Sequence, residues 1–252
     1  MALSAEELER YQRHILLPEI GGQGQQKLRE ARLIVIGAGG LGCPALQYLV
    51  AAGIGQIDLY DDDTVSLSNL QRQVLFTTED IGKPKVEIAR QRLTALNPHT
   101  LIRVFQKRIT QATDIEDLAG ATLLLEGVDN FETRYVLNDA CITARTPFLS
   151  AAIGRFDGQV GLFMPWQKDQ PCYRCFVPET PPDAADCETM GVLGTAPGIV
   201  GTLAAQEALK YVTGFSQTKP GSMILFHGKA GTMRRVDIRK DPACPSCQQS
   251  EA

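Results

Sequence analysis

"RLIVIGAGGLGCPALQYLVAAG" spans residues 32–53, and "IDLYDDD" follows at 57–63. The opening "RLIVIG" is an apolar run of strand length, and "IDLYD" is a second. Between them the chain from Gly39 to Gly53 reads as a turn running into a helix. Gly37, Gly39 and Gly42 fit G-x-G-x-x-G, and an acidic residue, Asp61, follows about twenty positions on, as in a dinucleotide fingerprint. Such a turn lets backbone approach phosphate and aims a helix N-terminus at it. It does not say which nucleotide is bound. Gly40 makes the turn richer in glycine than helix–strand packing requires.

Outward from this unit the pattern repeats. Ser4 and Glu7 form a capping box for a first helix over 5–14, and "GQQKLREA" is a second helix. Pro84 suits the first position of a helix through Leu96, with Val86, Ala89, Leu93 and Leu96 on one face. "LIRVFQKRI" and "TLLLEGV" read as strands, residues 130–145 as a helix and "PFLSAAIG" as a further strand. Strand alternating with helix predicts a parallel sheet covered on both faces. Past about residue 155 the texture changes. "GQVGLFMP" and "SMILFHGKAGTMRRVDI" read as antiparallel strands, with the helix "GIVGTLAAQEALKYVTG" between them. "VPETPPDAADCETMG" (177–191) reads as a long mobile loop.

In a parallel sheet the strand C-termini line the ligand crevice. That rule gathers Asp61, Asn69, Arg72, Lys85 and Asp129 into one site. Taken singly, Arg72 and Lys85 read as solvated charges and Asp129 as a helix N-cap. Taken together they supply the cations and carboxylate that a triphosphate with a metal ion requires, more than a dinucleotide does. The set favours ATP with Mg²⁺ over NAD. An NAD-dependent oxidoreductase and a non-catalytic scaffold subunit are the rival readings. The first lacks an evident acid–base pair for hydride transfer, and the three histidines form no triad with a nucleophile.

With 252 residues, 44% of them hydrophobic, and a net charge of −4, the chain can bury a full core. No stretch is basic enough to point to nucleic acid, and none is apolar enough to span a bilayer. "MALSAEELERY" lacks the features of a signal peptide, so a cytoplasmic protein is expected. Seven cysteines, an odd number, favour metal or thiol chemistry over a disulfide scaffold. Cys172-x-x-Cys175 and Cys244-x-x-Cys247 form two knuckles separated by 68 residues. Paired CxxC turns point to a tetrahedral zinc ion held by four thiolates. A redox dithiol is the alternative for one pair, but leaves the second unexplained. Cys43 and Cys141 lie in apolar helices as core residues. Cys187 lies in the 177–191 loop.

"GAGGLG", "SLSNLQRQ", "GKPK", "VDN" and the two CxxC pairs together resemble the HesA/MoeB/ThiF family, over nearly the whole chain. The resemblance implies an α/β fold: a Rossmann-like nucleotide-binding sheet continued by antiparallel strands, with a four-cysteine zinc knuckle. It implies a single adenylation domain over 1–252, with N-terminal helices at 1–30, a nucleotide-binding half at 31–155 and a carrier-binding half at 156–252. Its activity would be ATP–Mg²⁺-dependent adenylation of the C-terminal glycine of a ubiquitin-like sulfur-carrier protein ending in Gly-Gly, in a homodimer. By the same resemblance Gly37, Gly39, Gly40 and Gly42 form the phosphate loop, and Asp61 holds the ribose. Ser68, Asn69, Leu70, Gln71 and Arg72 lie in the stretch that binds phosphate and ribose. Lys85 is the phosphate-binding lysine, Asp129 holds Mg²⁺ with Asn130 beside it, and Arg13 reaches into the neighbouring subunit's site. The family often has Cys-Thr before this Asp-Asn pair, where this chain has Gly127-Val128. The zinc would be structural, on Cys172, Cys175, Cys244 and Cys247.

Two branches stay open. "FTTEDIGKPK" and "ILFHGK" resemble the thiamine branch, "AIGRFDGQVGLF" and "NPH" the molybdopterin branch. Cys187 matches a cysteine linked to sulfur transfer in the former and less needed in the latter. The chain runs only five residues beyond Cys247, so no fused rhodanese-type domain is expected, and sulfur would come from a separate donor protein.

Overall fold

The computed structural model describes residues 3–182, 191–217 and 219–248. Ser4 accepts from the Glu7 backbone and donates its own N–H to the Glu7 carboxylate at 2.8 Å, and this box starts α1 (Ala5–Arg10). The helix expected through residue 14 breaks at Tyr11. The chain continues as α2 (Gln12–Ile15) and then α3 (Gly21–Glu30). The break has a tertiary cause: the Tyr11 ring packs over Gly53, and its hydroxyl accepts from buried Asn97 at 2.8 Å.

Next come β1 (Arg32–Ile36), α4 (Gly42–Ala51), β2 (Gln56–Tyr60), α5 (Lys85–Leu96), β3 (Leu101–Phe105) and β4 (Leu123–Glu126). They are followed by α6 (Phe131–Ala144), β5 (Phe148–Gly154), β6 (Asp157–Phe163), α7 (Tyr173–Phe176), α8 (Thr195–Thr213), β7 (Ser222–His227) and β8 (Thr232–Asp237). All eight strands join one sheet in the order β3-β2-β1-β4-β5-β6-β7-β8. The first five run parallel, and β6, β7 and β8 add on antiparallel.

Alternate residues of β1 face opposite layers. Leu33 and Val35 pack with α4, α5 and α8, whereas Ile34 and Ile36 pack with α6 and Tyr173. This is why the parallel strands read as unbroken apolar runs: both faces are covered. Two sequence expectations shift. Pro84, with ψ near 128°, stands just before α5 rather than inside it. Leu96 is 42% exposed, and the buried place beyond α5 goes to Asn97, which also donates to the Val50 carbonyl at 2.7 Å. Among the described residues no helix is long and apolar enough to cross a membrane.

The connections out of β1 go in both directions. The chain first steps to β2 and β3 on one side, and β4 then returns to the other. The order reverses between β1 and β4, and the crevice beyond their C-terminal ends is where an open sheet of this kind takes a ligand.

Candidate active site

A cleft of about 990 Å³ opens at that crevice. The glycine loop forms one wall, and its four glycines divide by role. Gly37 sits at φ +99°, and a Cβ on Gly42 would lie 1.9 Å from the Gly37 carbonyl oxygen. The tight turn therefore needs both as glycine. Gly39 and Gly40 face the cleft beside Gly37, while Gly42 lies behind the lining. Gly40 also comes close to α8, where a Cβ would stand 3.1 Å from Pro197.

Asp61, at the end of β2, holds the loop from the opposite side. Its carboxylate accepts from the Ala38 N–H at 2.7 Å and the Asp63 N–H at 2.9 Å. Burial pushes its pKa up, against the opposing charge of Lys85. Lys85 is almost wholly buried at the start of α5, with its ammonium 2.7 Å from Asp63. A short 3₁₀ turn at Leu67–Asn69 places Ser68, Asn69, Gln71 and Arg72 on the cleft wall. Arg72 donates to the Ser68 carbonyl at 3.1 Å. Leu70 departs from the expectation. It is outside the cleft lining and packs against the main core, because an apolar side chain in a polar stretch gains most by turning inward.

Beyond β4, Asn130 accepts from the Thr133 N–H at 2.9 Å and caps α6. The plain reading of Asp129 as the cap is thereby corrected. Its carboxylate is exposed on the cleft wall, with Asn130 Nδ2 at 3.5 Å. Below this loop lies an ion pair the sequence reading missed. Glu126 is fully buried, and Arg134 approaches it at 2.9 Å. Glu126 also accepts from the Val128 N–H at 3.0 Å and from the Ser150 hydroxyl. Burial pushes the Glu126 pKa up, and Arg134 opposes it. For Arg134, burial works against the charge, but Glu126 and Tyr173 together outweigh it and the pKa is raised. Lys107 and Arg108 also line the cleft; they follow β3 directly, so the strand-end rule could have found them. Arg13 is exposed on α2, outside the cleft of its own chain. Cys187 lies outside the described residues.

The second cluster joins distant parts of the chain. Cys172 Sγ lies 4.0 Å from Cys175 and 3.6 Å from Cys244, and Cys175 lies 3.5 Å from Cys247. Ligands at the corners of a zinc tetrahedron with bonds of ~2.3 Å stand about 3.8 Å apart, so the spacing fits zinc. The donor set fits as well: four thiols and no open position for water. The neighbouring Cys172 thiol pulls the Cys175 pKa down. Cys43 and Cys141 are buried in helices, and burial pushes the Cys43 thiol up to about 12 and raises Cys141 too. Both are inert core residues, as expected.

Comparison with known proteins bears on this arrangement. A family model described as the ThiF family matches residues 11–246. The chain is 43% identical to a sulfur carrier protein adenylyltransferase of Thermus thermophilus, covering 98% of this chain and 93% of that protein. It is 44% identical to the sulfur carrier protein ThiS adenylyltransferase of Escherichia coli, covering 96% of each. It is 39% identical to the molybdopterin-synthase adenylyltransferase of Salmonella typhimurium, covering 98% of this chain and 99% of that one. The fold is similar to that of Escherichia coli MccB solved with ATP, with a TM-score of 0.83 at 23% identity, over 98% of this chain and 76% of that one.

Proposed function

The chain belongs to the ThiF family, and from that premise we propose that it adenylates the C-terminal glycine of a small ubiquitin-like sulfur-carrier protein at the expense of ATP. The observation that carries this reading is the convergence of a glycine loop, two cations and a carboxylate left free by its neighbour's capping on one cleft at the switch point.

The residues suit the task. The N–H groups around Gly39 and Gly40 and the start of α4 favour phosphate. Arg72 and Lys85 neutralise its charge, with Lys85 exchanging Asp63 for a phosphate oxygen. Asp61 holds the ribose, and Ser68, Asn69, Gln71 and Asn130 complete the wall. Asp129 holds Mg²⁺, which would screen the phosphate charges. The carrier's terminal carboxylate is ionised at neutral pH, so no general base is required. One of its oxygens bonds to the α-phosphorus. The bond from that phosphorus to the oxygen bridging to the β-phosphate breaks, and its electron pair leaves with pyrophosphate. The protein contributes positioning and charge stabilisation.

The wider reading is a cytoplasmic homodimer of single adenylation domains. Arg13 completes the partner subunit's site, zinc sits in the cysteine knuckle as a clamp, and a separate protein donates sulfur. Residues 31–155 serve the nucleotide and 156–252 the carrier. Cys187 serves sulfur transfer if the carrier is of the thiamine type and is dispensable if it serves molybdopterin. The test is pyrophosphate exchange. Exchange that requires ATP, Mg²⁺ and a carrier ending in Gly-Gly supports the reading, and running it with each carrier type separates the branches. A protein whose melting temperature rises with NAD but not with ATP–Mg²⁺ would be an oxidoreductase instead.

A further inference from the structure

The loop that presents Asp129 is held by its neighbour, Val128, on both sides. The Val128 N–H donates to Glu126 at 3.0 Å, and its carbonyl accepts from Arg134 Nη2 at 2.6 Å. Because Glu126 and Arg134 also pair with each other at 2.9 Å, the two form one buried clamp on the two peptide groups that flank Val128. The other arm of the guanidinium, Nη1, donates to the Tyr173 hydroxyl at 3.2 Å. The Arg134 side chain also stacks over the Tyr173 ring at 5.7 Å.

Tyr173 is the residue after Cys172, inside the first cysteine knuckle. It is fully buried and has little freedom. Its N–H donates to Asn138 on α6 at 2.9 Å, and its ring meets Phe148 and Phe163 edge-on. A rigid aromatic thus runs from the four-cysteine cluster to the guanidinium that fixes the Asp129 loop.

We propose that Tyr173 and Arg134 form a strut through which the cysteine knuckle positions Asp129, so that metal in the knuckle and Mg²⁺–nucleotide in the cleft strengthen each other's binding. Arg134 and Tyr173 are positioning residues; neither is assigned a contact with the reacting atoms. The inference rests on the functional reading above, which supplies the Asp129–Mg²⁺ contact. Thermodynamic linkage requires the coupling to be reciprocal, which gives two independent readouts.

The first is nucleotide binding by zinc-loaded protein. Tyr173→Phe removes only the hydroxyl, and Arg134→Lys keeps the charge for Glu126 but not the fork that serves Val128 and Tyr173 together. In both, the Mg²⁺ concentration for half-maximal ATP binding rises by about fivefold or more, the usual range for coupling between two sites. Affinity for AMP without metal stays at the wild-type value. The second readout is zinc release to a chelating dye. ATP–Mg²⁺ slows release from the wild type and leaves release from Tyr173→Phe unchanged.

Equal loss of AMP and Mg²⁺–ATP affinity in both variants overturns the strut, because a merely loosened pocket behaves that way. Zinc release indifferent to nucleotide in the wild type overturns it as well. A wild type that binds no ATP–Mg²⁺ at all defeats the functional reading itself. If Tyr173→Phe does not fold, Arg134→Lys carries both measurements.

Discussion

The nucleotide cleft and the cysteine knuckle are built by opposite means. The cleft rests on packing. Its loops leave the ends of β1, β2 and β4, strands buried on both faces, and its shape is fixed by backbone contacts such as those of Gly42 with Gly37 and Asp61 with Ala38. The knuckle joins residues 172–175 to 244–247, and the cluster around its thiols adds little beyond Ile142. Tyr173 anchors the first half of this junction in the core, but little apolar area joins the two halves, so by the proposed reading the joint depends on a bound metal ion. On that reading, the cleft should survive loss of its ligand and the knuckle should not survive loss of its metal.

The sharpest way to break this contrast is to remove one thiol. Cys244→Ser should empty the knuckle of metal and cost more than about 4 kcal/mol of stability, as loss of a structural metal does. Metal analysis beside a denaturant titration checks this. Loss of metal at unchanged stability would show that the clamp holds nothing, and the two regions would then differ less than their construction implies.

The cleft should answer the matching insult differently. Asp129→Ala removes an exposed carboxylate that supports no packing. Pyrophosphate exchange should fall about 1000-fold, the scale of a lost transition-state charge contact. The melting temperature should stay within about 2 °C of wild type, since surface changes cost little. Arg72→Ala should behave alike. Full exchange by Asp129→Ala would remove the metal assignment.

This contrast also explains what the sequence made legible. The parallel half was readable because double burial leaves unbroken apolar runs and strand ends mark the ligand side. That rule brought Asp61, Asn69, Arg72, Lys85 and Asp129 together from positions scattered along the chain. The cysteine pairs were readable through their spacing. Arg134 was not, because in one dimension it is a charge on a helix, and only the fold buries it against Glu126. Leu70 was placed at the nucleotide by the family resemblance of its stretch, although its own apolar side chain turned it to the core. The break at Tyr11 is set by Gly53 and Asn97, both far along the chain, which a local helix pattern cannot contain.

A smaller effect tests the backbone side of the contrast. Gly42→Ala puts a Cβ 1.9 Å from the Gly37 carbonyl oxygen, which only a shift of the loop can relieve. Stability should fall by about 1–3 kcal/mol, the usual range for overpacking, and ATP affinity should fall with it. Metal content of the knuckle should not change. Weak ATP binding at unchanged stability would mean that the turn serves the ligand alone.

The smallest expected effect separates two neighbours that the sequence presents as a pair. Asn130 caps α6 through its side-chain oxygen, and Asp129 faces the cleft. Asn130→Ala should cost about 1 kcal/mol, the usual worth of a cap, readable as a shift in the denaturation midpoint. Asn130→Asp keeps an acceptor for the Thr133 N–H and adds a negative charge at a helix N-terminus, where the helix dipole favours it. Its stability should therefore match wild type within about 0.5 kcal/mol. The same substitution places a second carboxylate beside Asp129, so it should alter the Mg²⁺ dependence of exchange while the cap remains intact. Asn130→Ala should do the reverse, shifting the midpoint but leaving the Mg²⁺ dependence close to wild type. If both variants instead move stability and Mg²⁺ dependence together, the cap and the carboxylate form one unit, and the division of labour at the start of α6 is wrong.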